Sequence, residues 1–216
     1  MTEYKHPFLS PNIPASINQT WQQRRLVCDA IKKLSEQLVA KDLPLERLQA
    51  LASLLNDEIN LNQPYDNCGG RVNWLKTGNA GEMGELVHEI SCLIGRSNPV
   101  APPITIWMDG DVARATVTLS WNYEGPPNCV HGGFVAAIFD EFLGDAQMLV
   151  KRMGATGNLT IRYHRPTPLH KELKLEARVK SVSERKAVLL GEMYDGDTLT
   201  ASAEGVFIAV DWNEFV

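Results

Sequence analysis

The sequence predicts an α+β protein in which an antiparallel β-sheet wraps around one long central α-helix, preceded by an N-terminal helical extension. A His-Gly-Gly turn at 131–133 opens an apolar run that continues to Phe139. Segments with alternating apolar and polar residues lie on both sides of this run, and short turns join them. Strands joined by short turns pair antiparallel, and one apolar helix can be buried only against the inner face of their sheet.

The central helix is predicted to carry acidic groups into a dry environment. Six consecutive apolar residues, from Phe134 to Phe139, precede the adjacent acids Asp140 and Glu141. A solvated helix face would instead show charges every three or four residues. Buried carboxylates are costly unless they are paired or hydrogen-bonded, so both acids are candidate functional groups. The structural alternative is a buried acid that caps a neighbouring loop.

Patterns of period two predict the strands of the sheet. The predicted strands span 104–108, 114–121, 159–164, 173–180, 187–194 and 198–210. Asp-Gly-Asp sequences at 109–111 and 195–197 predict tight turns within two of the hairpins. Together with the central helix, these strands form the main predicted domain, residues 104–216.

Residues 1–60 are predicted to form an arm followed by a helical hairpin. The arm, 1–15, contains three prolines and no periodicity. Apolar residues at three- to four-residue steps predict a helix from about Ser16 to Ala40. A second helix is expected to start at 42–44 and to run to about Ile59, because an Asp before an early Pro is typical of helix starts. We expect the hairpin to cap a neighbouring sheet or a partner subunit.

Residues 61–103 are predicted to be an irregular linker or a set of loops. Turn sequences such as Asn-Gln-Pro and Cys-Gly-Gly interrupt this region, and Pro-Pro at 102–103 ends it. One short helix is expected near 84–90. A position of these loops over the active cleft is one of the expectations for this region.

Composition and charge exclude several classes of function. The 216 residues carry 26 acidic and 21 basic side chains, a formal net charge of −5, which argues against a nucleic-acid-binding protein. No apolar run resembles a signal peptide or approaches the ~20 residues that span a bilayer. The four cysteines form no CxxC pair, so we expect free thiols in the cytoplasm and no metal site. They are Cys28, Cys68, Cys92 and Cys129.

Several motifs between about residues 92 and 210 resemble one known family. They are Gly-Pro-Pro-Asn-Cys-Val-His-Gly-Gly at 125–133, an acid nine positions after the histidine at Asp140, Gly-Arg-Ser-Asn-Pro at 95–99 and Tyr-His-Arg-Pro at 163–166. The segment resembles the hotdog-fold acyl-CoA thioesterases, and within them the PaaI-like (phenylacetate-type) branch. The resemblance implies the hotdog fold and hydrolysis of acyl-CoA to a free acid and CoA. No cofactor is implied, because coenzyme A is part of the substrate.

The resemblance also implies roles for individual residues. The backbone N–H of Gly132 would polarise the thioester carbonyl, and His131 would shape the turn. Asp140 would activate water or attack the carbonyl directly. Thr156 matches a threonine that supports the attacking water in part of the branch, although its Gly-rich surroundings are also typical of a loop.

Five further residues are candidates for substrate binding: Gly133, Asn128, Glu141, Arg162 and Arg165. Gly133 leaves the backbone uncovered beside the carbonyl. Some family members carry an asparagine six residues before the histidine; this chain has Gly125 there, and Asn128 is the nearest replacement. Arg162 and Arg165 can hold a CoA phosphate or simply form a solvated strand edge.

Helix geometry predicts that the active site is shared between two subunits. Gly132 and Asp140 are eight residues apart, which is ~12 Å on a straight helix. One carbonyl cannot contact both groups, so we expect a dimer, or a dimer of dimers, with antiparallel central helices. Two alternatives remain: a non-catalytic acyl-CoA or fatty-acid binding module, and a hydratase of the same fold. A hydratase is expected to need a histidine within the central helix, where this chain has none.

Overall fold

The structure, a computed structural model, describes residues 16–210, so the predicted arm at 1–15 lies outside it. The helices are α1 (Gln19–Ala40), α2 (Leu45–Asn62), α3 (Arg71–Lys76), α4 (Met83–Ile90) and α5 (Gly132–Ala146). The strands are β1 (Thr105–Asp109), β2 (Val112–Thr118), β3 (Gly154–Tyr163), β4 (Glu172–Val182), β5 (Lys186–Asp195) and β6 (Thr198–Ala209). These elements confirm the predicted fold class, an antiparallel sheet around a central helix with helices before it.

The six strands form one antiparallel sheet in the order β1-β2-β4-β5-β6-β3. Strands β4, β5 and β6 pair in chain order, as their short turns predict. Strand β3 departs from this rule, because it pairs with β6 while β4 pairs with β2. The segment between β3 and β4 therefore crosses the sheet, and β3 lies at one edge with half of its backbone groups unpaired within the sheet.

Helix α5 packs against the inner face of the sheet and forms the centre of the core. Phe139, Phe142 and Leu143 are fully buried there. Two strand glycines let the helix approach closely. A Cβ added at Gly191 of β5 would lie 3.0 Å from Leu143, and one at Gly205 of β6 would lie 3.1 Å from the same side chain. The close contact of helix and sheet thus depends on glycine in the strands.

Helix α1 is attached to the segment that precedes the sheet. The Trp21 indole N–H donates to the Asn79 carbonyl oxygen (2.9 Å), and the Cys28 thiol donates to that of Ser97 (3.0 Å). The Arg25 guanidinium pairs with the buried Glu89 carboxylate at 2.6 Å. These contacts connect positions that are far apart in sequence, which periodicity alone does not predict.

Both long N-terminal helices predicted from the apolar periodicity are present, and a short break at 41–44 joins them. Within α2, Leu51 is the buried residue, and several large apolar side chains of the helix are exposed. They are Leu45, Leu48, Leu54, Leu55, Ile59 and Leu61. An apolar stripe shows that a helix has a face to cover, but it does not identify the partner.

The region predicted to be irregular, 61–103, contains two short helices instead of one. Helix α4 lies where a helix was expected, whereas α3 was not predicted, because its six residues are too few for a periodic signal. Among residues 16–210, no helix combines the length and apolar character that crossing a bilayer requires.

Replacing Phe139 by alanine is expected to lower the free energy of unfolding by about 3–5 kcal/mol, because it leaves a cavity between α5 and the sheet. Denaturant-induced unfolding measures this loss. Tyr65→Ala is the matched control, since Tyr65 is 77% exposed and its removal should change stability by less than about 0.5 kcal/mol. Equal losses for the two variants would contradict the central position of α5 in the core.

Candidate active site

The N-terminus of α5 carries a free backbone donor. His131 is the N-cap residue, and its Nδ1 accepts a hydrogen bond from the Gly133 N–H at 3.0 Å. The Tyr163 hydroxyl donates to the Gly132 carbonyl oxygen at 2.8 Å, which fixes this peptide. Among residues 16–210, the Gly132 N–H donates to no acceptor. A free N–H at the positive end of a helix is suited to a developing oxyanion.

Further along α5, the Asp140 carboxylate is held by the first part of β3. The Thr156 hydroxyl donates to Asp140 Oδ1 at 2.9 Å. The Gly-rich surroundings of Thr156 are part of strand β3, not a loop, because Gly154 and Thr156 pair with β6. Glycine is required there, since a Cβ at Gly154 would lie 2.4 Å from the Ile208 carbonyl oxygen. These glycines weaken the strand pattern in the sequence, but in the structure they allow β3 to pair with β6.

Asp140 opens onto a cavity of about 350 Å³ between α5, the start of β3 and the N-terminal segment. Two more acids of the helix, Glu141 and Asp145, line it, and Arg71 of α3 contributes a positive charge. The remaining lining residues are Val87, Gly144, Gln147, Met153, Gly154, Ala155, Thr156 and Phe207. The region 61–103 therefore forms part of the cavity wall, through Arg71 and Val87.

The three acids of α5 lie in different environments. Asp140 is half-buried and hydrogen-bonded to Thr156. Burial raises the pKa of Glu141 above its ordinary value; the Arg71 charge opposes this rise and the Asp140 charge adds to it. Burial, with a smaller contribution from Glu141, raises the pKa of Asp145 well above its ordinary value. Burial thus favours the neutral, protonated form of the Glu141 and Asp145 carboxyl groups.

Three of the predicted substrate-binding residues lie away from this cavity within one chain. Asn128 is exposed, has a φ of 61° and donates its N–H to Glu124 Oε1 at 2.7 Å, which stabilises the turn before α5. Arg162 lines a depression on the outer face of the sheet with Thr160. Arg165 is exposed in the segment that follows β3.

Sequence reasoning missed three residues at the site: Tyr163, Arg71 and Asp145. The alternation of β3 had put Tyr163 on the inner face, so its contact with the start of α5 could have been anticipated. Asp145 follows Glu141 by one helical turn in an apolar helix, which was a usable signal. Arg71 gave none, because its position depends on how a segment without regular periodicity folds back.

Comparisons with known proteins agree with this architecture. A family model described as Thioesterase superfamily matches residues 128–202. A crystal structure of a thioesterase superfamily protein matches with a TM-score of 0.72 and 30% sequence identity, covering 92% of this chain and 97% of that one. The chain belongs to the thioesterase superfamily. The likeness to that structure includes the N-terminal helices, because it extends over nearly the whole chain.

Curated relatives match over a shorter part of this superfamily member. Acyl-coenzyme A thioesterase THEM4 of Xenopus laevis is 30% identical over 87 residues, which are 39% of this chain and 39% of that protein. The protein of the same name from Mus musculus is 30% identical over 105 residues, 46% of this chain and 45% of that protein. The chain therefore matches less than half the length of these relatives.

We expect the pKa of Glu141 to lie above 4.5 and to rise further in Arg71→Gln, because the arginine charge favours the ionised carboxylate. Carbon-13 NMR titration of the carboxyl carbons measures both values. Since the folded-state pKa exceeds the unfolded one, ionisation of Glu141 lowers stability as pH rises above 4.5, and Arg71→Gln should increase this loss.

Arg47→Gln on α2 provides the control for this titration, since it removes the same charge from an exposed position outside the cavity. It should leave the pKa of Glu141 unchanged. A pKa of Glu141 at or below 4.5, or one that does not respond to Arg71→Gln, would contradict the described electrostatics of the cavity.

Proposed function

We propose that this protein hydrolyses acyl-CoA thioesters to a free acid and CoA, with Asp140 as the catalytic carboxylate of helix α5. The observation that carries the proposal is the Asp140 carboxylate, held by Thr156 at 2.9 Å on the wall of an open cavity. Membership of the thioesterase superfamily supports the reaction class. The names of the curated relatives support acyl-CoA as the substrate.

The free Gly132 N–H supports the electrophilic half of the reaction. Attack on a thioester carbonyl creates a negative charge on its oxygen, and a positioned N–H donor stabilises that charge. The Gly132 N–H also lies at the positive end of α5, which adds to the effect. His131 fixes the following N–H, and Tyr163 fixes the Gly132 carbonyl oxygen, so the donor is held before the substrate binds.

Asp140 supplies the other half, as general base or as nucleophile. Thr156 donates to Oδ1, so Oδ2 remains for the reaction among the described contacts. As a base, Asp140 takes a proton from water while the water oxygen bonds to the carbonyl carbon. The carbon–sulfur bond of the resulting intermediate then breaks, and the CoA sulfur leaves as the thiol after receiving a proton.

We further propose that each active site combines Gly132 of one subunit with Asp140 of another. Helix α5 is unbroken over its 15 residues, so the two positions lie ~12 Å apart along its axis. The edge strand β3, which carries Thr156, is suited to pairing with a second copy because long edge strands expose unpaired backbone groups. Pairing of two β3 strands about a two-fold axis would bring two α5 helices antiparallel. A dimer, or a dimer of dimers, follows.

The proposal requires no cofactor and includes a cytoplasmic location. Cys28, Cys68, Cys92 and Cys129 are free thiols, which is compatible with a reducing compartment. Arg162 and Arg165 stay candidates for contacts with CoA phosphates, which their exposed guanidinium groups can bind.

The test is release of thiol from acyl-CoAs of different length by the native protein and by Asp140→Asn. We expect turnover in the native protein and a loss of at least ~100-fold in the variant, as for removal of a general base. Asp111→Asn is the matched control, because that carboxylate is 94% exposed in the turn between β1 and β2.

Equal turnover in native protein and Asp140→Asn would contradict the assigned role of Asp140. Binding of acyl-CoA without turnover in the native protein would instead identify a non-catalytic binding module of the same fold. In that case Asp140→Asn should bind acyl-CoA about as well as the native protein.

A further inference from the structure

Asp145 is a buried carboxyl group, one oxygen of which makes no hydrogen bond within residues 16–210. It is 8% exposed, and its Oδ2 has no hydrogen-bond partner within the part of the chain that the structure describes. Buried polar groups are normally satisfied, so this exception requires a physical explanation. Its environment is acidic, because the neighbouring charge that acts on its pKa is that of Glu141. A raised pKa favours the protonated carboxyl, which can donate a hydrogen bond.

Asp145 lines the same cavity as Asp140, where the Gln147 and Thr156 side chains are already engaged. The Gln147 side chain bonds to the backbone of Gly144 and to both backbone groups of Gly154, at 2.8–3.2 Å. Thr156 donates to Asp140. Glu141 and Arg71 also line the cavity, but Glu141 is only half-buried and Arg71 is exposed to water. Asp145 is the buried acid of this wall, and within the described residues one of its oxygens still lacks a partner.

The path from Asp140 to Asp145 is open and has a defined length. A Cβ at Gly144, which lies between them on the helix, would meet no atom within 4 Å. Five residues of α-helix correspond to about 7.5 Å along the axis, and the two side chains differ by about 140° in direction. Because each carboxyl carbon lies about 4.5 Å from the helix axis, the two groups are on the order of 11 Å apart. An extended chain advances about 1.25 Å per bond, so roughly nine bonds cover that distance.

We infer that Asp145 is a specificity-determining residue of this site, whose carboxyl group donates a hydrogen bond to a hydroxyl or keto oxygen on the acyl group, roughly nine bonds from the thioester carbonyl. The inference rests on the proposed thioesterase function and names its substrate class. Acyl groups with such an oxygen satisfy Asp145. Plain alkyl chains of the same length leave its carboxyl group unpaired, and unpaired buried groups select strongly against a ligand.

The test measures binding in the Asp140→Asn background, in which hydrolysis is suppressed. Calorimetry compares 8-hydroxyoctanoyl-CoA with octanoyl-CoA, and 10-hydroxydecanoyl-CoA with decanoyl-CoA. We expect at least one hydroxylated member to bind ~10-fold more tightly than its alkyl counterpart, as one added hydrogen bond predicts. Asp145→Leu should abolish this preference, whereas Asp145→Asn should retain part of it, because the amide also donates.

The two variants separate recognition from folding. Asp145→Leu is isosteric and removes an unpaired polar group, so its midpoint of thermal unfolding should equal or exceed that of the native protein. Asp145→Asn keeps a polar side chain, and it is the variant for the binding comparison if Asp145→Leu does not fold. A preference for hydroxylated chains that persists in Asp145→Leu would overturn the inference, as would the absence of any preference in the Asp140→Asn protein.

Hydrolysis of octanoyl-CoA by the native protein distinguishes the proposed role of Asp145 from the proposed thioesterase function. Turnover of the alkyl substrate without a hydroxyl preference refutes the role of Asp145 and leaves the thioesterase function intact. If the protein neither hydrolyses nor binds any of the four CoA esters, both proposals are refuted.

Discussion

Burial of α5 against the inner face of the sheet determines the position of the groups that this helix contributes to the site. The helix packs Phe139, Phe142 and Leu143 against the strands, and glycines in β5 and β6 allow the contact to be close. This packing fixes the rotation of α5 about its axis. Because the rotation is fixed, Asp140 is directed toward Thr156 and the cavity, and the start of the helix is presented at Tyr163.

The same burial differentiates three carboxyl groups on one helix. Asp140 accepts a hydrogen bond from the Thr156 hydroxyl and opens onto the cavity. Burial raises the pKa of Glu141, against the opposing charge of Arg71, whereas at the almost fully enclosed Asp145 no cation of the described residues opposes the rise. The protein environment, and not the residue type alone, thus sets the preferred protonation state of these two acids.

The sequence was sufficient to predict the sheet and the central helix, because these depend on local periodicity, and a short motif was enough to single out Asp140 as a candidate. It was not sufficient for the place of β3 beside β6, since strand order depends on long-range pairing. Thr156 appeared in a loop because glycines mask strand propensity, although the sheet requires Gly154 there. Arg71 joins the cavity through the fold of an irregular segment. What covers the apolar side chains of α2 stays a prediction, because amphipathicity does not identify a partner.

The account depends on an active site that combines Gly132 of one subunit with Asp140 of another. Gly132→Pro removes the N–H without disturbing the helix start, because proline is favoured at the first helical position and His131 has a compatible ψ of 131°. Each chain would carry one substitution, either Gly132→Pro or Asp140→Asn, with a different affinity tag. The two homodimers should be inactive, and purification through both tags yields the heterodimer.

Thioester hydrolysis by this heterodimer is the most direct measurement of the central claim. A shared site predicts about half of native activity, because one of the two sites contains native Gly132 and native Asp140, while the other contains both substitutions. Activity no higher than that of the two inactive homodimers would contradict the account, because it would mean that each chain builds its site from its own Gly132 and Asp140.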